Sequence, residues 1–179
     1  KIMNGQVYYA INNYLNSSNK LTEYHFYYPK AAAAEDSIRK IIRKGVGFIN
    51  YTGHGDVTGW LDPFLKSGDI DTVTNTNMHP FIISNACQTS TFTSASAMGN
   101  RMVLADKKGA SGFIGGAADT YWDEDFYWAV GNGTISSEPT YSGTGLGAYD
   151  RLFHTHGETP ADWYTTMGQV MYAGNLAVS

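Results

Sequence analysis

Val46-Gly47-Phe48-Ile49-Asn50-Tyr51-Thr52-Gly53-His54-Gly55 is the stretch whose reading decides the fold. The run over 46–51 carries the apolar, β-branched and aromatic residues of a buried strand, and Gly53 and Gly55 close it in a turn around His54. A second run, Phe81-Ile82-Ile83-Ser84, leads in the same way to Asn85-Ala86-Cys87. Cys87 follows His54 by 33 residues. Open parallel sheets hold their ligand sites at the carboxyl ends of their strands, so the two turns place a base and a nucleophile where a site belongs. Cys87 is the single cysteine of the chain. No internal disulfide is open to it, and a thiol beside a histidine is a candidate nucleophile. Taken singly, each has a plainer reading, Cys87 as a small buried hydrophobe and His54 as a turn residue. The matched positions favour chemistry. Gly53 and Gly55 lack Cβ, so a carbonyl can approach the backbone beside the imidazole and an N–H there can face an oxyanion.

Outward from these turns the pattern alternates. Val7, Tyr8, Ile11, Tyr14 and Leu15 predict a helix stopped by the polar tract at 16–19. Residues 22–28 read as a strand ending at Pro29, and 31–44 as a helix with acids early, bases late and Gly45 as its stop. A loop follows 46–51, then a short helix near 69–74. Beyond Cys87 comes a Thr/Ser-rich loop over 89–96, a helix over 98–108 stopped by Gly109, and a small-residue strand over 111–115. From Tyr121 onward the chain reads as helical and aromatic, with glycine-rich breaks at 131–133 and 143–147. Four strands alternating with helices predict a parallel α/β sheet, because parallel neighbours need crossovers. No internal repeat, Pro-rich linker or charge run marks a second domain, so residues 1–179 read as one.

Composition excludes several classes. With 42% hydrophobic and 16% charged residues the chain is not a disordered one. A net charge of −4 gives no electrostatic support for nucleic acid as a partner. Apolar stretches are too short for a membrane span. The first residue is Lys1 and no signal peptide is visible, so the chain reads as a processed or excised piece.

The turns 48–55 and 85–87, with Tyr121-Trp122-Asp123-Glu124-Asp125-Phe126-Tyr127-Trp128 and Tyr172-Ala173-Gly174-Asn175-Leu176-Ala177, resemble the gingipains, secreted caspase-like cysteine peptidases of the bacterial cell surface. The resemblance covers about 23–177. The last two blocks are similar to the lysine-specific branch. The resemblance implies a three-layer α/β/α fold with a mainly parallel sheet, incomplete at its N-terminal side. It implies Cys87 as nucleophile, His54 as general acid and base, and the backbone N–H groups of Gly55 and Cys87 as oxyanion donors. It also implies Asp125 as the acid that pairs with a substrate lysine, with Thr52, Asn85, Tyr121 and Trp122 as further substrate-binding residues. The family acid that orients the histidine lies more than fifty positions upstream of it. Residue 54 leaves no room for one, so the chain is expected to be truncated at both ends within a catalytic domain whose remainder is a partner. One residue fewer separates Cys87 from the Tyr121 block than in the family pattern. Structural calcium is implied by the resemblance, with no ligand set in the sequence to place it, and the chemistry needs no cofactor.

Other constellations are weaker. His54, Asp56 and Asp62 lack the spacing of a metal site, and His154 and His156 near Glu158 read as a helix end. The glycines of 53–59 miss the spacing of a dinucleotide loop, and no Gly-x-Ser-x-Gly elbow supports a serine hydrolase. The reading is a secreted or surface cysteine endopeptidase acting on proteins or peptides after lysine or another basic residue. The alternative is a non-catalytic module of the same fold, against which the retained Cys87 and His54 argue.

Overall fold

The computed structural model describes residues 2–179. In chain order its elements are α1 (Ile2–Asn13), α2 (Ala34–Lys44), β1 (Phe48–Thr52), β2 (Gly55–Asp56), β3 (Gly59–Leu61), β4 (Phe64–Lys66), β5 (Phe81–Asn85), α3 (Met98–Leu104), β6 (Gly112–Gly115), α4 (Trp122–Val130), α5 (Ala148–Leu152) and α6 (Met167–Ala177). The chain divides into two compact units, one of residues 29–120 and the other of residues up to 28 with 121–179.

The first unit is built on a parallel sheet of order β1-β5-β6. Phe48 pairs with Phe81 and Thr52 with Asn85, while Phe81 pairs with Gly112 and Ser84 with Gly115. Ile82 and Ile83 point to opposite faces and neither is accessible to solvent, as expected of a parallel strand covered on both sides. One face carries the core, in which Ile42 of α2, Met98 and Met102 of α3, and Trp60, Leu65 and Ile70 pack with Tyr51 and Ile82. Each such aliphatic side chain, fully buried, contributes about 1.5–3 kcal/mol.

Helix α2 follows its charge pattern, with Glu35 and Asp36 in the first turn and Arg43 and Lys44 in the last. It ends at Gly45, whose φ of 94° a side chain would resist and whose N–H bonds to the Ile42 carbonyl.

Four local expectations change. Residues 22–28 form no strand. They are mostly exposed, and both backbone groups of Tyr28 bond to the Asn4 side chain instead of a ladder. The loop after 46–51 is a three-stranded antiparallel meander, β2-β3-β4, that buries Trp60 and Leu65. The short helix near 69–74 is a 3-10 turn over Ser67–Thr72. Helix α3 stops at Leu104, short of 108, because buried Asn75 takes both the N–H and the carbonyl of Gly109. The chain then turns back with the Ala110 N–H on the Met102 carbonyl.

In the second unit α4 packs against α1, α5 and α6. Tyr9, Tyr14, Phe126, Val130, Tyr149 and Val170 are buried there. Asp150 is 2% exposed. Its carboxylate accepts from the Tyr9 hydroxyl at 2.6 Å, from the Tyr14 hydroxyl, and from the Gly147 N–H at 2.8 Å. Burial pushes its pKa up while these donors hold it down, with a net rise. The raised value means that the ionised carboxylate costs stability at neutral pH relative to acid, yet it is the acceptor on which two buried phenols depend. Asp150→Ala takes the acceptor from the Tyr14 hydroxyl and leaves the Tyr9 hydroxyl with Thr144 Oγ1 at 3.4 Å, and is expected to destabilise the protein by about 2–4 kcal/mol. Urea unfolding at neutral pH checks this, and a change under 1 kcal/mol would contradict it.

Candidate active site

The spacing seen in the sequence matches the register of the sheet. Phe48 lies beside Phe81 and Thr52 beside Asn85, the same 33-residue offset that separates His54 from Cys87. His54 and Cys87 therefore leave neighbouring strands two positions past the carboxyl end, and the Gly53 N–H extends the ladder by bonding to the Asn85 carbonyl at 3.1 Å. Gly55 shows how closely the turns approach. A Cβ there would lie 2.8 Å from the Ala86 Cβ and 3.0 Å from the Cys87 carbonyl, so only glycine lets the two backbones pack directly. The His54 side chain is exposed and Cys87 is half-buried.

The thiol is held from a direction the sequence did not reveal. The Gln88 and Ser90 N–H groups bond to the carbonyls of Ala118 and Gly116, both at 2.9 Å, which straps the segment after β6 alongside the Cys87 turn. At its end the Thr120 N–H donates to Cys87 Sγ at 3.5 Å, and the thiol can donate to the Thr120 carbonyl at 3.6 Å. A donor and an acceptor from one residue can engage the sulfur in either protonation state. Nothing in the local sequence around Thr120 signals this role, which depends on the crossover that returns β6 beside β5.

Beneath the His54 turn, Tyr51 stacks on Trp60 with ring centroids 4.5 Å apart. The Tyr51 hydroxyl donates to the His54 carbonyl at 2.7 Å. Burial pushes the phenol pKa up to about 12, so the donor keeps its proton throughout the working range of a protein. The Trp60 indole N–H donates to Ser84 Oγ at 2.9 Å, and Ser84 lies 3.0 Å from Thr89 Oγ1. Thr52 and Asn85, predicted to bind substrate, are both buried at the strand ends. Thr52 Oγ1 has no hydrogen-bond partner among the described residues, an arrangement that costs about 1–3 kcal/mol.

Tyr121, Trp122 and Asp125 open α4 in the other unit, with Tyr121 as the residue before the first turn. Trp122 and Asp125, three apart, share one face of the helix. Acids at a helix start need no further explanation when they are solvated, but the three here differ. Asp123 and Glu124 are exposed, whereas Asp125 is half-buried. The remaining two motif blocks meet through packing: the Trp128 indole donates to Asn175 Oδ1 at 3.1 Å, and it occupies the space that a side chain on Gly174 would need.

No group of three or more His, Cys, Asp or Glu side chains among the described residues is placed to hold a metal ion. His154 stacks on Trp163 and His156 on Tyr141, which accounts for both rings by packing. No helix among the described residues is long and apolar enough to cross a membrane.

The model of peptidase family C25 matches residues 2–179. The chain belongs to peptidase family C25. Among its relatives, Lys-gingipain HG66 of Porphyromonas gingivalis is 36% identical over the whole of this chain, and Lys-gingipain W83 of the same organism is 34% identical over 96% of it. The chain spans about a tenth of the length of these relatives. A solved protease structure superimposes with a TM-score of 0.87 at 33% identity, covering 98% of this chain and 37% of the other. The crystal structure of the arginine-specific gingipain R gives 0.64 over 80% of this chain and 30% of its own, at 23% identity, a likeness of fold. The C25 fold is thus the caspase-like α/β class with a parallel sheet.

Next to Gly55, Asp56 accepts from the Thr58 N–H and hydroxyl, both at 2.7 Å, and from Lys66 Nζ at 2.6 Å. Burial pushes its pKa up, but Lys66 and Thr58 outweigh that and hold it below the ordinary carboxylate value. A depressed acid stabilises the fold above its unfolded pKa, near 4, and that contribution fades as pH falls through the folded value. With Asp56 nearly half exposed, the effect is under about 1 kcal/mol. Asp56→Asn should lower the melting temperature slightly at pH 7 and by less at pH 2.5. An equal deficit at both would remove the charge from the explanation.

Proposed function

We propose that the protein is a cysteine endopeptidase in which Cys87 attacks the scissile carbonyl and His54 transfers the proton. The observation that carries this reading is the shared register of β1 and β5, which brings the two turns to one edge of the sheet with Gly55 seated on the Cys87 carbonyl. In the first step the thiolate adds to the carbonyl and the developing oxyanion takes hydrogen bonds from the Gly55 and Cys87 N–H groups. His54 then gives its proton to the leaving amine. In the second step His54 accepts a proton from water, which adds to the thioester. Collapse of that adduct releases the carboxylic acid product and restores the thiol.

The preferred residue before the cleaved bond is proposed to be lysine. Asp125 serves as counter-ion to its ammonium, with Thr52, Asn85, Tyr121 and Trp122 as further substrate contacts. The similarity to Lys-gingipains and the withdrawal of Asp125 from solvent, unlike its two neighbours, support this choice. A partly desolvated carboxylate selects a cation because a neutral side chain would leave it unpaired. The substrates are proteins or peptides outside the bacterial cell.

Two experiments test the reading in the protein at its full natural length. A lysyl chloromethyl ketone should label Cys87 and stop peptide hydrolysis, and Cys87→Ala should abolish hydrolysis while keeping the melting temperature. Label at any histidine, or hydrolysis surviving in Cys87→Ala, would overturn the nucleophile. For specificity, kcat/KM is compared for peptides that differ at one position, carrying Lys, Arg or norleucine. Truncating one partner of a desolvated charge pair costs about 2–5 kcal/mol, so Asp125→Asn should lower the Lys value at least about tenfold and leave norleucine little changed. An equal loss on all three peptides would make Asp125 structural.

A further inference from the structure

Two peptide groups matter for the proposed oxyanion site, Ala86–Cys87 and His54–Gly55, because their N–H groups are the assigned donors. A trans peptide is planar, with its C=O and N–H pointing in opposite directions. Whatever grips the carbonyl therefore aims the N–H. Both carbonyls are gripped by hydroxyls. The His54 carbonyl accepts from Tyr51 Oη at 2.7 Å and from the Leu61 N–H at 3.1 Å. The Ala86 carbonyl accepts from Thr89 Oγ1 at 3.3 Å.

The second grip ends a directed chain. Trp60 can only donate and a carbonyl can only accept, so the proton order is fixed: Trp60 Nε1 to Ser84 Oγ at 2.9 Å, Ser84 to Thr89 at 3.0 Å, Thr89 to the Ala86 carbonyl. Trp60, Ser84, Thr89 and Ala86 are each no more than 2% exposed. Water does not compete, and head-to-tail hydroxyls strengthen one another. The two grips share one anchor, since the ring of Tyr51 lies flat on Trp60 at an interplanar angle of 10°. The β2-β3 pairing adds to this. The Leu61 N–H bonds to the His54 carbonyl across the Gly55–Trp60 pair, so Gly55 occupies the non-hydrogen-bonded position of that ladder and its N–H is directed away from β3.

We infer that Tyr51 and Thr89, joined through Trp60 and Ser84, are positioning residues that aim the two oxyanion-binding N–H groups. The inference rests on the peptidase reading above and deepens it. Neither hydroxyl touches the reacting atoms; each acts through the peptide it holds.

The test uses variants that delete one hydroxyl and keep the shape, Tyr51→Phe and Thr89→Val, with Thr89→Ser as the rescue, in the full-length protein. Losing an oxyanion donor outright costs about 100- to 1000-fold in rate, so a donor left in place but less well aimed should cost about tenfold in kcat, with KM little changed. Inhibition by a lysyl peptide aldehyde should weaken by a similar factor, because the thiol adds to the aldehyde to give a hemithioacetal whose oxygen occupies the same site. Alkylation of Cys87 by iodoacetamide displaces iodide at carbon and builds no charge on a carbonyl oxygen. It should stay within about twofold of wild type. Thr89→Ser should restore hydrolysis to within about threefold.

Hydrolysis and aldehyde inhibition unchanged in both folded variants would overturn the inference. So would a parallel fall in alkylation, which would place the effect on the thiol, or a loss that Thr89→Ser fails to restore. Should either variant not fold, Ser84→Ala breaks the same chain one step earlier and is read by the same three assays. If wild type neither hydrolyses lysyl peptides nor takes the chloromethyl ketone at Cys87, the peptidase reading itself fails and the inference falls with it. An active wild type with unaffected variants removes only the inference.

Discussion

Parallel pairing of β1 with β5 in a single register is the constraint from which the site follows. A side-chain period of two means that a slip by one residue would exchange the two faces of a strand, and a slip by two would leave the His54 and Cys87 turns at different heights. The register is locked from both sides. Ile82 packs into the main core while Ile83 is buried on the opposite face, so neither face tolerates a polar exchange. The Gly53 N–H then carries the ladder one bond past the strand ends. With no Cβ on Gly55 the His54 turn settles directly on the backbone of Cys87.

Between β1 and β5 the chain takes an unusual route. A parallel crossover is commonly a helix, but here the connection is an antiparallel meander followed by a 3-10 turn. The consequence is that Trp60 is delivered beneath the strand ends, where its ring meets Tyr51 and its N–H reaches Ser84 on β5. One side chain from the connection thus touches both strands that lead to the His54 and Cys87 turns. The segment after β6 approaches the Cys87 turn separately and contributes Thr120 beside the sulfur.

What the sequence made legible was local. Two apolar runs that end in Gly53-His54-Gly55 and Asn85-Ala86-Cys87 announce strands and turns without help from the rest of the chain, and α2 is written in the order of its charges. What stayed hidden depends on partners distant in sequence. Residues 22–28 carry strand formers, yet a strand exists only where a ladder accepts it, and Asn4 takes the backbone of Tyr28 instead. The end of α3 is set by Asn75, 34 residues from the Gly109 that it holds. Nothing local marks Asp150, whose acceptor role toward Tyr9 spans 141 residues. In the meander, strands of two and three residues are too short to show alternation. Of the candidate site, the two motifs and the acid of the Tyr121 block could be read from the sequence, whereas the groups that hold Cys87 and the neighbouring peptides could not.

The chemistry of these supporting groups separates two tasks that many active sites combine. In the proposed reaction Cys87 and His54 change protonation state as bonds are made and broken, so their surroundings would have to accept charge. The frame around them does not titrate. Indole, serine and threonine hydroxyls keep their protons at any pH the fold survives, and burial moves Tyr51 to about 12. A frame made of neutral donors would keep the same direction of every hydrogen bond while the proposed nucleophile cycles between thiolate, thioester and thiol. Charged supports would respond to each of those states through Coulomb interactions that burial strengthens. Neutral hydroxyls carry no net charge to respond in that way, so in the proposed scheme the hydrogen bonds that orient the Gly55 and Cys87 peptides persist from one step of the reaction to the next.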